Sequence, residues 1–263
     1  MNLKGLREAA GELETILRPQ TYPIAVKMLK SEGEIPNGAK RPLRDLGYHL
    51  STCQVFAMAR RQGMALAQLK EDMWCVEPVI GFGMAEAPDY FLDGNNRFPD
   101  SASTPEAGRA WAQAFPRLPV GEYVGVAAAP AKVAEFEPDL VMIYCDPSQL
   151  TQLLSAKNWI DGLDVDCKLS GHAACVYAVV PTVQAGKWQI TSPCGGDRAR
   201  GLARHDEVIA SFPATALPDV VAGLVHAQKH GHGLPQVPTM RPEYDLPDTY
   251  VKIGQMMGMD WAK

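Results

Sequence analysis

The run "DLVMIYC" passes straight into "DPSQLTQLLSA". The first piece, Asp139 to Cys145, predicts a strand. The second predicts a helix with Asp146 as its N-cap and Pro147 at the first helical position, where a missing N–H costs nothing. A strand and a helix joined by one capping residue restrict how the chain packs around them. Further strands are read at "YPIAVKML", "EYVGVAAAP" and "EVIASFP". Leu3, Leu6, Ala10, Leu13 and Leu17 recur at helical spacing before Pro19. A second helix is expected from Cys53 to about Lys70, with Ser51 or Thr52 as its N-cap. A short helix is expected around Ala107 to Ala114. "ATALPDVVAGLVHAQKH" is expected to be a helix closed by Gly231. "ACVYAVVPTVQAGKWQITSP" reads as a hairpin turning at "QAGK".

These elements predict an α+β fold: an antiparallel or mixed sheet with helices packed on one side of it. Residues 1–263 are expected to form one domain. The loop-rich segment 87–119 is a candidate lid, because long loops of this kind lean functional. "VAAAPAKVAEFEPDLVMIYCDP" and "YAVVPTVQAGKWQITSPCGG" share an order of strand, proline, turn, strand, cysteine and turn. That order hints at a duplicated hairpin–helix unit in which Cys145 and Cys194 are equivalent.

The composition narrows function by exclusion. The 263 residues carry a net charge of -5, so no broad basic field exists for sequence-independent nucleic-acid binding. No apolar run approaches the ~20 residues of a membrane helix, and the start mixes acids through it, unlike a secretory signal. A cytoplasmic protein is expected. Nucleotide-binding glycine loops, the G-x-S-x-G elbow, H-E-x-x-H and C-x-x-C are missing. His226 and His230 lie four apart with His232 beyond, but imidazoles at a helix C-terminus also suit the helix dipole. His172 and His205 are read as surface groups.

Six cysteines in a reducing compartment are not expected to form disulfides. Cys53 falls in the first turn of a predicted helix, a place that lowers a thiol pKa. Cys75 precedes a Glu-Pro turn, Cys175 follows a small-residue loop, and Cys194 lies in the bend "SPCGGDRARG". All four are at element ends, where thiols can converge. Cys145 and Cys167 also lie near ends, so position alone does not choose four from six.

The blocks "CQVFAMAR", "WCVEPVIGFG", "PDLVMIYCDPSQL", "SGHAACVYAVVP", "PCGGDRARG" and "DEVIASFPATALPDVVAGL" resemble the uncharacterised "domain of unknown function 169" family, roughly from Tyr22 to Gly233. The resemblance implies that Cys53, Cys75, Cys175 and Cys194 are the family's cysteines. It places a glycine at Cys145 and nothing fixed at Cys167. The chain departs from the family at Val76-Glu77-Pro78, where a Pro-Leu-Gly type turn is usual. The family name implies no activity.

Four thiolates from distant segments suit a [4Fe–4S] cluster, or a zinc ion held by four cysteines; haem is also left open. Close-paired cysteines of the structural-zinc kind are missing, which favours the cluster. In that reading Gly195 and Gly196 let backbone approach the cofactor. Arg198 and Arg200 offset its charge or hold an anionic ligand, and Asp197 orients Arg198 or acts on a substrate proton, which makes Asp197 and Arg198 the catalytic candidates. The expected protein does redox or Lewis-acid chemistry on a small anionic molecule, with an electron-transfer protein as partner and a homo-oligomer as a compatible state. Two alternatives stand beside it. One is a non-enzymatic binding or sensor module stapled by zinc or a cluster. The other is an enzyme using Cys194 as nucleophile, activated by the adjacent arginines.

Overall fold

Leu6, Ala10, Leu13 and Leu17 make a buried stripe on helix α1 (Leu3–Leu17). Asn2 caps the helix by accepting from the Gly5 N–H at 2.9 Å, and Arg18 ends it in the left-handed region. The structure is a computed structural model that describes residues 2–230, 233, 246–259 and 261. After α1 come β1 (Ile24–Leu29), α2 (Thr52–Gln62), β2 (Leu66–Leu69) and α3 (Val76–Gly81). The segment expected to be loop-rich holds α4 (Asp89–Leu92) and α5 (Pro105–Ala114). The second half runs β3 (Gly125–Pro130), β4 (Leu140–Cys145), α6 (Pro147–Asp161), α7 (Ala174–Ala185), β5 (Gln189–Thr191), α8 (Gly195–Arg200), β6 (Val208–Pro213) and α9 (Leu217–Lys229). A further helix, α10, spans Asp248–Met256. Gly231 and His232 lie outside the described residues.

The strands form one six-stranded sheet in the order β2-β3-β1-β4-β6-β5, and every pairing is antiparallel. The α+β expectation holds, with one correction. Helices cover both faces of the sheet, not one. All six residues are buried in β3 and in β4, so neither face of these strands meets water. On one face Val141, Ile143 and Phe212 pack with Leu13 of α1, Leu153 of α6 and Leu224 of α9. On the other, Val26, Met142 and Ile209 pack with Phe56 of α2, Ile80 of α3 and Val179 of α7.

Two element assignments also differ from expectation. Helix α2 stops at Gln62 because Gly63 takes φ 73, and the residues after it turn into strand β2. "ACVYAVVPTVQA" is helix α7, not the first arm of a hairpin. Its β-branched residues are mediocre helix formers. But every residue from Ala174 to Val180 is buried, so the segment meets apolar neighbours all round and no period of two can develop. The repeat proposed on two hairpins therefore fails, and Cys145 is not the counterpart of Cys194.

A different duplication takes its place. Reading outward from the central β1–β4 pair, β1, β3 and β2 on one side answer to β4, β6 and β5 on the other. Each half runs strand, helix, edge strand, strand, with α2 and α7 as the helices that share a sheet face. The agreement extends to turns. β3 and β6 both end in proline, Pro130 and Pro213, and a short tight helical turn follows each. The next N–H reaches back across the sheet, from Ala131 to the Pro23 carbonyl at 2.8 Å and from Ala214 to the Asp139 carbonyl at 3.0 Å.

Candidate functional site

The duplication places cysteines in equivalent positions. Cys53 is the second residue of α2, and Cys175 is the second residue of α7. Cys75 is the N-cap of α3, and Cys194 is the N-cap of α8. The halves then exchange partners: α8 packs on α2, and α3 packs on α7. Four helix starts thus come to one side of the sheet, each with a cysteine. Cys194 does not sit in a bare bend as expected. It begins the short helix α8, whose Arg198 N–H donates to the Cys194 carbonyl at 2.9 Å.

Local hydrogen bonds hold each thiol. Ser51 and Gln54 close a capping box at the start of α2, and the Ser51 hydroxyl shares a 3.0 Å hydrogen bond with the Cys53 sulfur. Thr52 donates to Gln68 at 3.0 Å, and Gln68 donates to the Leu50 carbonyl at 2.7 Å, which ties this helix start to β2. The Cys75 thiol donates to the Glu77 carboxylate at 3.3 Å. Ala173, just before α7, holds φ 47, a left-handed conformation uncommon for a residue with a Cβ and a small store of strain beside Cys175.

The thiols feel one another. Burial pushes the Cys53 thiol up to about 11, against the Ser51 hydrogen bond; negative charge at Asp197 and Cys194 pushes the same way. The expected lowering by the helix N-terminus is therefore overturned, because desolvation outweighs the dipole. Burial raises Cys75 too, with Glu77 next and Cys53 after it. Cys175 is raised as well, by burial and then by Cys75, Cys53, Cys194 and Asp197. Cys53 and Cys175 are thus each within electrostatic reach of cysteines from both halves. Cys53 and Cys175 are buried, while Cys75 and Cys194 are half-buried. Among the described residues, no group of three or more His, Cys, Asp or Glu side chains is placed to hold a metal ion as it stands.

The other two cysteines lie elsewhere. Cys145 ends β4 and packs into the core on the opposite face, and Cys167 donates to the Ile190 carbonyl at 3.7 Å. None of the six is in a disulfide.

Behind the thiols lies a buried polar network that the sequence did not disclose. Asp197, 1% exposed, accepts from the Tyr144 hydroxyl at 2.9 Å, and its second oxygen has no partner among the described residues. The Arg60 guanidinium lies over the Tyr144 ring at 3.9 Å, donates to the Gly201 carbonyl at 2.8 Å and pairs with Glu207 at 3.4 Å. Burial raises Asp197 to about 6, even though Tyr144 and Arg60 favour the carboxylate. A methyl group on Gly201 would overlap Asp197 and sit 3.0 Å from the Cys53 carbonyl, so a glycine is required where α8 ends against α2. A Cβ on Gly195 would meet nothing, and one on Gly196 only the Cys194 sulfur at 3.8 Å.

The charges after Cys194 also differ from expectation. Asp197 does not orient Arg198. Arg198 donates to the Arg204 carbonyl on the surface, and Arg200 lies over the Trp74 ring at 5.1 Å. His226 stacks on Trp159 at 4.8 Å and tilts against His230 at 4.2 Å, on the α6–α9 side of the sheet.

The family model for DUF169, described as "Uncharacterised ArCR", matches residues 12–223. The chain belongs to this family. The matched span includes both halves of the sheet and all four helix-start cysteines. A curated relative, the uncharacterized protein MJ0308 of Methanocaldococcus jannaschii, is 26% identical over 235 residues, covering 86% of this chain and 96% of the relative. No solved structure matches. Among the described residues, no helix is long and apolar enough to cross a membrane.

Proposed function

We propose that Cys53, Cys75, Cys175 and Cys194 hold a [4Fe–4S] cluster between the two halves of the sheet, and that the protein uses it in redox or Lewis-acid chemistry on a small anionic molecule. One observation carries this reading: equivalent helix-start cysteines from both halves come within reach of one another's charge. The donor chemistry fits. Thiolates and a cluster of net negative charge are stabilised by the backbone N–H groups and positive ends of helix N-termini. The raised Cys53, Cys75 and Cys175 thiols stay protonated in the metal-free protein, so loading must release protons and draw the sulfurs onto a common centre. Half-burial of Cys75 and Cys194 leaves one side open to a small molecule.

Zinc would need the sulfurs at the ~2.3 Å bonds of a single tetrahedral ion. The nucleophile reading for Cys194 loses its proposed activators, because Arg198 and Arg200 make their contacts elsewhere. The test is anaerobic purification with iron, sulfide and zinc analysis. A brown protein with broad visible absorbance and matching iron and sulfide is expected. A colourless zinc protein, or a metal-free one that reconstitution cannot load, would sink the cluster.

A further inference from the structure

The expected anion clamp, Arg198, faces away, but another arginine, within the charge range of Glu77, has no acidic partner of its own among the described residues. Arg97, between α4 and α5, lies over the Trp111 ring at 4.4 Å. Among the described residues it makes no salt bridge and its guanidinium donates no hydrogen bond. Burial nevertheless disfavours its charge, with only the more distant Glu77 and Tyr177 compensating. Arg97 is half-buried and its nitrogens are not among the buried unpartnered atoms, so the edge of the guanidinium is open to solvent and to a ligand. Trp111 beneath it has a buried indole N–H without a partner among the described residues. His172, three residues ahead of Cys175, meets the Trp111 ring edge-on at 6.4 Å. Burial and then Arg97 hold its pKa below the ordinary value, so its ring is neutral near pH 7. Glu77, whose charge reaches both Arg97 and His172, accepts from the Cys75 thiol, which connects this group to the candidate centre.

We infer that Arg97, Trp111 and His172 form a subsite for the oxyanion group, carboxylate or phosphoryl, of the small molecule proposed above. The arrangement offers donors that lack acceptors: a planar guanidinium fork held flat by an indole, and an indole N–H beside it. A guanidinium stacked on an aromatic ring keeps its edge free for two parallel hydrogen bonds to one anion. The inference rests on the cluster reading for the identity of the site, but anion binding can be measured independently of the metal.

The experiment is calorimetric titration of the purified protein with acetate and, separately, with inorganic phosphate, with iron and sulfide assayed on each sample. Saturable binding of one of the two is expected, and which one binds names the group. Arg97→Gln is expected to weaken it tenfold or more, Arg97→Lys to restore part of the loss, and Trp111→Phe, which keeps the ring but removes the N–H, to weaken it several-fold. All three are expected to keep the parent's iron content. Equal affinity in Arg97→Gln and the parent, or no saturable binding of either anion, overturns the subsite. Arg97-dependent binding to protein that cannot be loaded with iron supports the subsite and sinks the cluster instead.

Discussion

At Asp197, burial outweighs two neighbours that favour the carboxylate, and the group is raised from 3.8 to about 6. A raised carboxyl pKa means that the folded state holds its proton more tightly than the unfolded chain. Its stabilising contribution is fully present below the unfolded value and is lost as pH rises through about 6. For metal-free protein, denaturant titrations at pH 4 and pH 7 should therefore show a difference between the parent and Asp197→Asn. The parent should lose up to roughly 3 kcal/mol relative to the variant over this range. A variant that tracks the parent at both pH values would mean that Asp197 is solvated. The neighbouring arginine gives the opposite expectation. Arg198 bonds a surface carbonyl, so Arg198→Ala should cost under ~1 kcal/mol of stability and leave iron content and anion affinity at parent levels. A tenfold loss of affinity would restore Arg198 to the site. The adjacency of Asp197 and Arg198 in the chain suggested a pair; consecutive residues of a helix point ~100° apart, and the sequence shows no sign of Tyr144 arriving from strand β4.

At the scale of elements, the ends matter more than the middles. Each of the four cysteines stands at the N-cap or second residue of a helix, whereas Cys145 closes a central strand on the other face of the sheet and Cys167 lies in a loop bonded to β5. Replacing Cys145 and Cys167 together by alanine should leave metal content unchanged. Loss of the buried Cys145 sulfur should cost about 1 kcal/mol in thermal or chemical denaturation, the scale of a small core deletion. Loss of metal in that variant would show that a different set of cysteines binds it. The elements were legible where a local signal exists. Asp146 and Pro147 start α6, as read, and Ser51 caps α2. Helix α7 was misread because valine-rich sequence looks alike in a buried strand and a buried helix, and only its neighbours decide.

For the whole molecule, the exchange of α3 and α8 between halves means that a centre bound by all four cysteines would tie the halves together. Metal-loaded protein should therefore melt higher than metal-free protein, because a cofactor bound only by the folded state stabilises it by mass action. Cys53→Ser and Cys175→Ser, changed at equivalent positions, should each remove most of that gain in calorimetric melting; a gain that survives either change would argue against four-cysteine binding. The sequence by itself determined the antiparallel α+β class, most strand positions, the capped helix starts, and the placement of cysteines at element ends. These depend on hydrogen bonds and apolar spacing within a turn or two of chain. Tertiary structure decided the rest: β1 inserted between β3 and β4, helices on both faces, the two-fold correspondence of Cys53 with Cys175 and Cys75 with Cys194, and the burial of Arg60, Tyr144 and Asp197 behind them. Those features arise from pairings between residues a hundred or more positions apart, such as Arg60 with Glu207. They are selected by the need to bury both faces of one sheet, and no local pattern records that need.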